Sequence, residues 1–199
     1  MPGPLVLASA SPTRARMLQA AGLVFTTDTP RLDEDAIRAA MTADGAPPRD
    51  IADALAGAKA ERIARRHPGA WVIGADQVLD LDGQVLGKPS DSAQARSQLL
   101  ALRNRSHRLL SACVVHADGA PVWRHVGTAR LTMRAFSDAW LDLYLARQGD
   151  AVTQTLGGYR IEEEGVRLFS RIEGDYFTIL GLPLTELLSY LTQRGAIDS

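Results

Sequence analysis

Trp71-Val72-Ile73-Gly74-Ala75-Asp76-Gln77-Val78-Leu79 is the stretch on which the fold turns. Its apolar start predicts a strand buried on both faces, and polar groups enter only at its C-terminal end. Asp82-Gly83 follows as a hairpin signal, returning through Val85-Leu86 to Gly87-Lys88-Pro89. Upstream, Leu5 to Ala8 reads as a second short buried strand. It meets Ser9-Ala10-Ser11-Pro12, where Ser11 suits an N-cap and Pro12 the first helical position. Met17, Leu18 and Ala21 recur at helical spacing, and Gly22 closes that helix.

Further out, Val24 to Thr27 predicts a strand, and Leu32-Asp33-Glu34-Asp35 marks another helix start. Residues 44–49, with Gly45, Pro47 and Pro48, read as a loop. Asp50 then caps a long helix carrying Ile51, Leu55, Ala58, Lys59 and Ile63, ending near His67-Pro68-Gly69. A helix over 92–102, strands over 107–115 and 122–131 around Asp118-Gly119, and a helix from Phe136-Ser137-Asp138 through Tyr144 come next. A strand over 166–172 and a last helix opened by Pro183 complete the series. Helices and strands alternate throughout, with no repeat and no low-complexity tract, so the predicted class is α/β.

Composition removes several functions. The chain has 199 residues, 46% hydrophobic and 23% charged, enough for a real core. Its 22 basic and 23 acidic residues leave a net charge of −1. That balance speaks against a nucleic-acid binder, which needs a basic face to displace counterions. Cys113 is the single cysteine, so no internal disulfide and no multi-cysteine metal site is expected. The run from Leu5 to Ser9 is too short for a signal sequence and lacks a basic flank. No window approaches the roughly 18 unbroken apolar residues of a membrane span. The expectation is a cytoplasmic enzyme or binding protein without membrane contact.

Charged residues at element ends carry the chemical signal. Ser9, Ser11 and Arg14 sit where a strand hands over to a helix N-terminus, which offers free N–H groups and a favourable dipole to an anion. Ordinary capping plus a solvated arginine explains them equally well. Glu34 is a cation ligand or simply a favourable residue at the start of its helix, and alone it reads as the latter. Lys59, on a small-residue helix, reads alone as exposed or snorkelling. Asp76 closes a near-continuous apolar run, and open α/β sheets place ligand groups at the carboxyl ends of strands. Lys88, held between Gly87 and Pro89 across the hairpin, adds a cation to that acid. The four histidines show no HExxH or other paired spacing, and neither a GxGxxG nor a Walker A sequence is present.

Taken together, Leu7-Ala8-Ser9-Ala10-Ser11-Pro12-Thr13-Arg14 resembles the opening motif of the Maf family of nucleoside triphosphate pyrophosphatases. Asp33-Glu34, Ala58-Lys59-Ala60, Gly74-Ala75-Asp76-Gln77-Val78 and Gly87-Lys88-Pro89 agree with it in order. So do Gly157-Gly158-Tyr159-Arg160-Ile161-Glu162, Gly174-Asp175-Tyr176 and Gly181-Leu182-Pro183-Leu184. The resemblance implies a mixed, elongated sheet flanked by helices in one Maf-like domain over 1–199, two lobes with a central cleft, and a homodimer. It implies hydrolysis of a nucleoside triphosphate to monophosphate and pyrophosphate with a divalent cation, Mg²⁺ or Mn²⁺.

By position Ser9, Arg14, Glu34, Lys59, Asp76, Lys88 and Glu162 fall on that family's functional positions. For such a reaction Asp76 suits a general base and metal ligand and Glu34 a second metal carboxylate, while Ser9, Ser11, Arg14, Lys59, Lys88 and Glu162 suit substrate contacts, the serines as phosphate hydrogen-bond donors. Thr13 stands where many members have a second arginine, and Glu163 where a glycine is usual. Gln77, Thr13 and Glu162 resemble the branch associated with 7-methyl-GTP more than the one acting on dTTP and UTP. A non-enzymatic regulator of septum formation is the competing class, against which the full set of charged residues stands.

Overall fold

A computed structural model describes residues 3–198. Its contacts divide the chain into two compact units. One comprises the chain up to Gln77, Leu110–Thr128 and the chain from Asp175 on; the other comprises Val78–Leu109 and Ala129–Gly174. Seven strands form one mixed sheet: β1 (Leu5–Ala8), β2 (Phe25–Thr27), β3 (Trp71–Leu81), β4 (Gln84–Leu86), β5 (Ser106–Ala117), β6 (Ala120–Met133) and β7 (Phe169–Glu173). The order is β2-β1-β3-β5-β6-β7, with β4 paired to β3 off that path. No helix among the described residues is long and apolar enough to cross a membrane.

The first unit holds the parallel part of the sheet, β2-β1-β3, in which Leu5 pairs with Trp71 and Ala8 with Gly74. Alternation sorts its side chains into two layers. Leu5, Leu7, Ile73, Ala75, Cys113 and Val115 face α1 (Pro12–Ala20) and α7 (Leu184–Gln193), packing on Met17, Leu18, Leu184, Leu187 and Leu191. The other layer receives α3 (Pro48–Ala64), whose Ile51, Leu55, Ala56, Ala60 and Ile63 are buried. Each buried leucine or isoleucine contributes about 1.5–3 kcal/mol, so α3 and α7 are held by their apolar faces rather than by helix propensity. α2 (Glu34–Ala43) buries no residue fully, yet Asp33 caps it by accepting from Ala36 N.

Several predicted boundaries move, each for a local reason. Pro47 and Pro48 both fit ahead of the first intrahelical donor, so α3 begins at Pro48 and Asp50 lies in its first turn instead of capping it. β3, expected over 71–79, runs on to Leu81 because β4 pairs with Leu79–Leu81 through the Asp82-Gly83 turn. The predicted strand over 166–172 is half a turn structure: Gly165 packs so closely on Arg160 that residues 164–168 coil into a 3-10 turn, and β7 starts only at Phe169. The short α6 (Tyr176–Ile179), capped by Asp175, has no counterpart in the sequence reading.

The second unit adds α4 (Ser92–Leu102) and α5 (Asp138–Gln148). Its core includes fully buried Tyr144, which donates to Gly158 O at 3.1 Å, and the edge-to-face pair Tyr159–Phe169. His107 lies against both rings, its Nε2 2.6 Å from Tyr159 Oη, while Nδ1 is buried with no partner among the described residues.

Burial pulls the His107 pKa down to about 4. The unfolded chain, near the ordinary value of about 6.5, therefore binds more protons between these two pH values. Stability from this residue is complete above the unfolded pKa and falls by roughly 3 kcal/mol as pH drops to 4. Urea unfolding at pH 7 and pH 4 should show a smaller acid-side loss in His107→Gln than in the wild type; equal losses would show that His107 does not set it.

Candidate functional site

The sheet stops being parallel at Gly74, and the charged residues gather just beyond that point. Asp76 lies two residues past the Ala8↔Gly74 pair, on the same face of β3 as Gly74 and opposite α3. The carboxyl-end rule thus holds for β1, while in β3 itself Asp76 is mid-strand. Gly74 lets α3 come close. A Cβ there would stand 2.3 Å from Ala56 O and 2.6 Å from Ala60 N. The neighbouring Lys59 consequently reaches the strand, with Nζ 2.7 Å from Asp76 Oδ1.

The same ammonium is 2.8 Å from Glu34 Oε2, at the start of α2. Asp76 and Lys59 retain only 6% and 7% side-chain exposure, whereas Glu34 keeps 35%, so the cluster has one wet edge. Lys59 is therefore neither exposed nor snorkelling. Two carboxylates flank one ammonium, and the Arg14 guanidinium nearby balances the remaining negative charge. Asp76 Oδ2 is buried and has no hydrogen-bond partner among the described residues. Such an acceptor carries a desolvation cost of about 1–3 kcal/mol unless something else meets it.

The β1–α1 junction supplies the second group. Ser11 Oγ caps α1 by accepting from Arg14 N, and Ser9 Oγ accepts from Ser11 N and Arg14 Nη1. Arg14 turns inward. Nε donates to Gly181 O at 2.8 Å and Nη1 to Ala75 O at 2.9 Å. Burial lowers its pKa, and the negative charge of Asp76 is the largest opposing influence. The nearby Cys113 thiol is buried and pushed up to about 12, so it stays protonated and takes no part as a nucleophile.

The structure thus brings Ser9, Ser11, Arg14, Glu34, Lys59 and Asp76 into the first unit. Lys88, in the loop after β4, and Glu162, in the turn after Arg160, belong to the second. Sequence reasoning missed Ser111, Thr178 and the structural part played by Gln77. Gln77 Nε2 lies within 3.1 Å of three acceptors, Ser111 Oγ, Thr178 O and Ile179 O, so its two N–H groups serve all three with one of them shared. Gly174-Asp175-Tyr176 and Gly181-Leu182-Pro183-Leu184 were the sequence signals on either side of that turn.

The family model described as Maf-like protein matches residues 4–194. The chain belongs to the Maf-like family. This Maf-like chain is 58% identical over 195 residues to a nucleoside triphosphate pyrophosphatase of Roseobacter denitrificans, with 98% of each chain covered. It is 54% identical to one of Ruegeria pomeroyi, again over 98% of both. A Rhizobium meliloti protein named 7-methyl-GTP pyrophosphatase is 48% identical over 98% of both chains. A solved dITP/XTP pyrophosphatase of Mycobacterium abscessus matches 97% of this Maf-like chain and 96% of its own at 15% identity and a TM-score of 0.42, too distant to carry an argument.

Proposed function

We propose that this Maf-like chain is a nucleoside triphosphate pyrophosphatase, in which water attacks the α-phosphorus and pyrophosphate leaves with the nucleoside monophosphate as the other product. The observation that carries the reading is the unpartnered, buried Asp76 Oδ2, beside an Oδ1 already held by Lys59. A carboxylate so placed has one oxygen fixed and one free to take a proton from, or orient, the attacking water. Relatives named for this activity match over nearly their whole length and support the same reading.

Attack on a tetra-anionic triphosphate must overcome charge repulsion, so cations and donors have to surround the phosphates. Lys59 has three N–H donors and the two carboxylates take two, which leaves one for a phosphate oxygen. Ser9 and Ser11 accept backbone or guanidinium protons, and each keeps its own hydroxyl hydrogen to donate. Neither serine has a hydrogen-bonded base among the described residues, so direct water attack is favoured over a covalent intermediate. Arg14 contributes positive charge from behind the serines.

A divalent cation, Mg²⁺ or Mn²⁺, fits the free Asp76 Oδ2 and the half-exposed Glu34. Such hard ions bind through one or two carboxylates and fill their shell with water and substrate phosphates. No group of three or more His, Cys, Asp or Glu able to hold a metal occurs among the described residues, so an all-protein cage is not what this donor set offers. When bound, the ion would supply charge neutralisation at the phosphates.

For the base we propose 7-methyl-GTP over dTTP and UTP. A Glu162 carboxylate offers acceptors only, which suits the N1–H and N2–H₂ donors of a guanine edge. The Rhizobium meliloti relative's name agrees with this choice. The test is a panel of 7-methyl-GTP, GTP, UTP and dTTP with Mg²⁺, products identified, in wild type and Glu162→Gln. Pyrophosphate release with 7-methyl-GTP ranked first is expected, and a lower preference for it in the variant. Phosphate alone, or nothing, from every nucleotide would end the catalytic reading. A first rank for UTP or dTTP would end the guanine reading only.

A further inference from the structure

We infer that Gln98 is a positioning residue for Lys88, holding the peptide that precedes it against α4; this rests on the reading of Lys88 as a substrate contact given above. The loop that carries Lys88 leaves β4 after Leu86 and enters α4 at Ser92. Within it Lys88 is exposed and Pro89 is buried. A residue before proline is biased to extended backbone, so Lys88 has little freedom of its own. Gly87 is different. It has no Cβ to restrict it, which makes it the soft joint between the end of β4 and Lys88.

Gln98 Nε2 donates to Gly87 O at 3.0 Å. That carbonyl belongs to the peptide joining Gly87 to Lys88, so the bond restrains the plane from which Lys88 projects. One turn earlier on the same face of α4, Gln94 Oε1 accepts from Ser90 N. Asp91 caps the helix there by accepting from Gln94 N at 2.7 Å. The backbone is therefore tied to α4 on either side of Lys88-Pro89, once through a carbonyl and once through an N–H. The carbonyl acceptor also settles which end of the Gln98 amide is the nitrogen. Its Oε1 is buried and has no hydrogen-bond partner among the described residues. An orphaned acceptor carries a desolvation cost that a methionine of similar size would avoid. The bond to Gly87 is what a glutamine supplies here and an apolar side chain does not.

A cation already held in place loses less freedom when a phosphate meets it, and for one long side chain that saving is worth about 2- to 10-fold in affinity. Gln98→Met keeps the volume and removes the donor. On the nucleotide panel it should raise KM about 3- to 10-fold for every nucleotide, with kcat within about twofold of wild type. Tm should stay within about 3 °C, because no apolar contact is lost and an orphaned oxygen is removed. In a Lys88→Ala background the same change should alter KM less than about twofold, because the group being positioned is gone. Gln94→Met, which releases only the Ser90 end, should raise KM less than Gln98→Met does.

An unchanged KM in Gln98→Met where Lys88→Ala raises it would overturn the inference. So would an equal rise in both backgrounds, a Tm loss large enough to mark Gln98 as structural, or a larger effect from Gln94→Met. If Lys88→Ala itself left KM unchanged, the reading of Lys88 would fall and the part of Gln98 in binding with it. If the wild type turned over no nucleotide, Kd for 7-methyl-GTP by calorimetry would carry the same comparisons. Hydrogen exchange at the Ser90 amide, which donates to Gln94, reports the loop apart from turnover. It should accelerate in Gln98→Met, and unchanged exchange would show that the loop does not depend on Gln98.

Discussion

Asp76→Asn is expected to lower kcat for pyrophosphate release by about 10²–10⁴-fold, the range typical of removing one general base. Asparagine can keep an oxygen toward Lys59 and place its amide where the unpartnered Oδ2 now stands. The side chain then neither accepts a proton nor offers a charge to a cation. Lys59 keeps Glu34 as counter-charge, so the ammonium is not left buried alone, and the fold should survive. Circular dichroism and thermal unfolding check the fold, and product assays check the rate. Wild-type kcat in a folded variant would remove Asp76 from the chemistry. A variant that fails to fold would show instead that the Asp76–Lys59 pair is structural, and Asp76→Glu, which restores the charge, would then have to recover folding.

The second large effect is expected from Gly74→Ala, one methyl group far from solvent. The new Cβ would meet Ala56 O at 2.3 Å and Ala60 N at 2.6 Å, both backbone atoms of α3 that cannot rotate away. α3 must therefore move outward, at a cost of about 1–3 kcal/mol or more. For a chain of this size that lowers Tm by roughly 3–10 °C. Lys59 travels with α3, so its contact with Asp76 lengthens and kcat should fall on the order of 10²-fold even below the new Tm. An unchanged Tm would mean that the close approach of α3 to β3 is not needed. An unchanged kcat with a lowered Tm would mean that the Lys59–Asp76 distance does not govern the rate.

Much of the fold was legible because its signals are local. β1, α1, α4 and the two Asp-Gly hairpins follow from apolar runs, caps and turn residues within a few positions of one another. Ser11 is the N-cap it was expected to be, and Asp82 and Asp118 adopt the positive φ that such turns need. The errors occur where a partner outside the local window decides. β3 outruns its apolar stretch because β4 supplies a ladder, and the start of β7 waits on its pairing with β6. Asp50 was a sound cap by type, but two prolines ahead of it fit the helix start without losing a hydrogen bond.

By itself the sequence determined which residue types stand at the element ends. It placed Ser9, Ser11 and Arg14 at a strand-to-helix junction, Glu34 at a helix start, Lys59 on a helix and Asp76 on a buried strand, and the family to which their order belongs. Only the tertiary structure decided what each of them touches. Lys59 taken alone reads as a solvated lysine, and it becomes a buried bridge because Gly74 lets α3 approach β3. Arg14 turns from an anion donor at a helix end into an inward strut, because the Ala75 and Gly181 carbonyls lie 61 and 167 positions away along the chain. The physical reason is the range of the forces involved. Caps, turns and apolar periodicity act over one or two turns of chain, while the desolvation that drives a buried charge to its partner acts only after distant segments have packed.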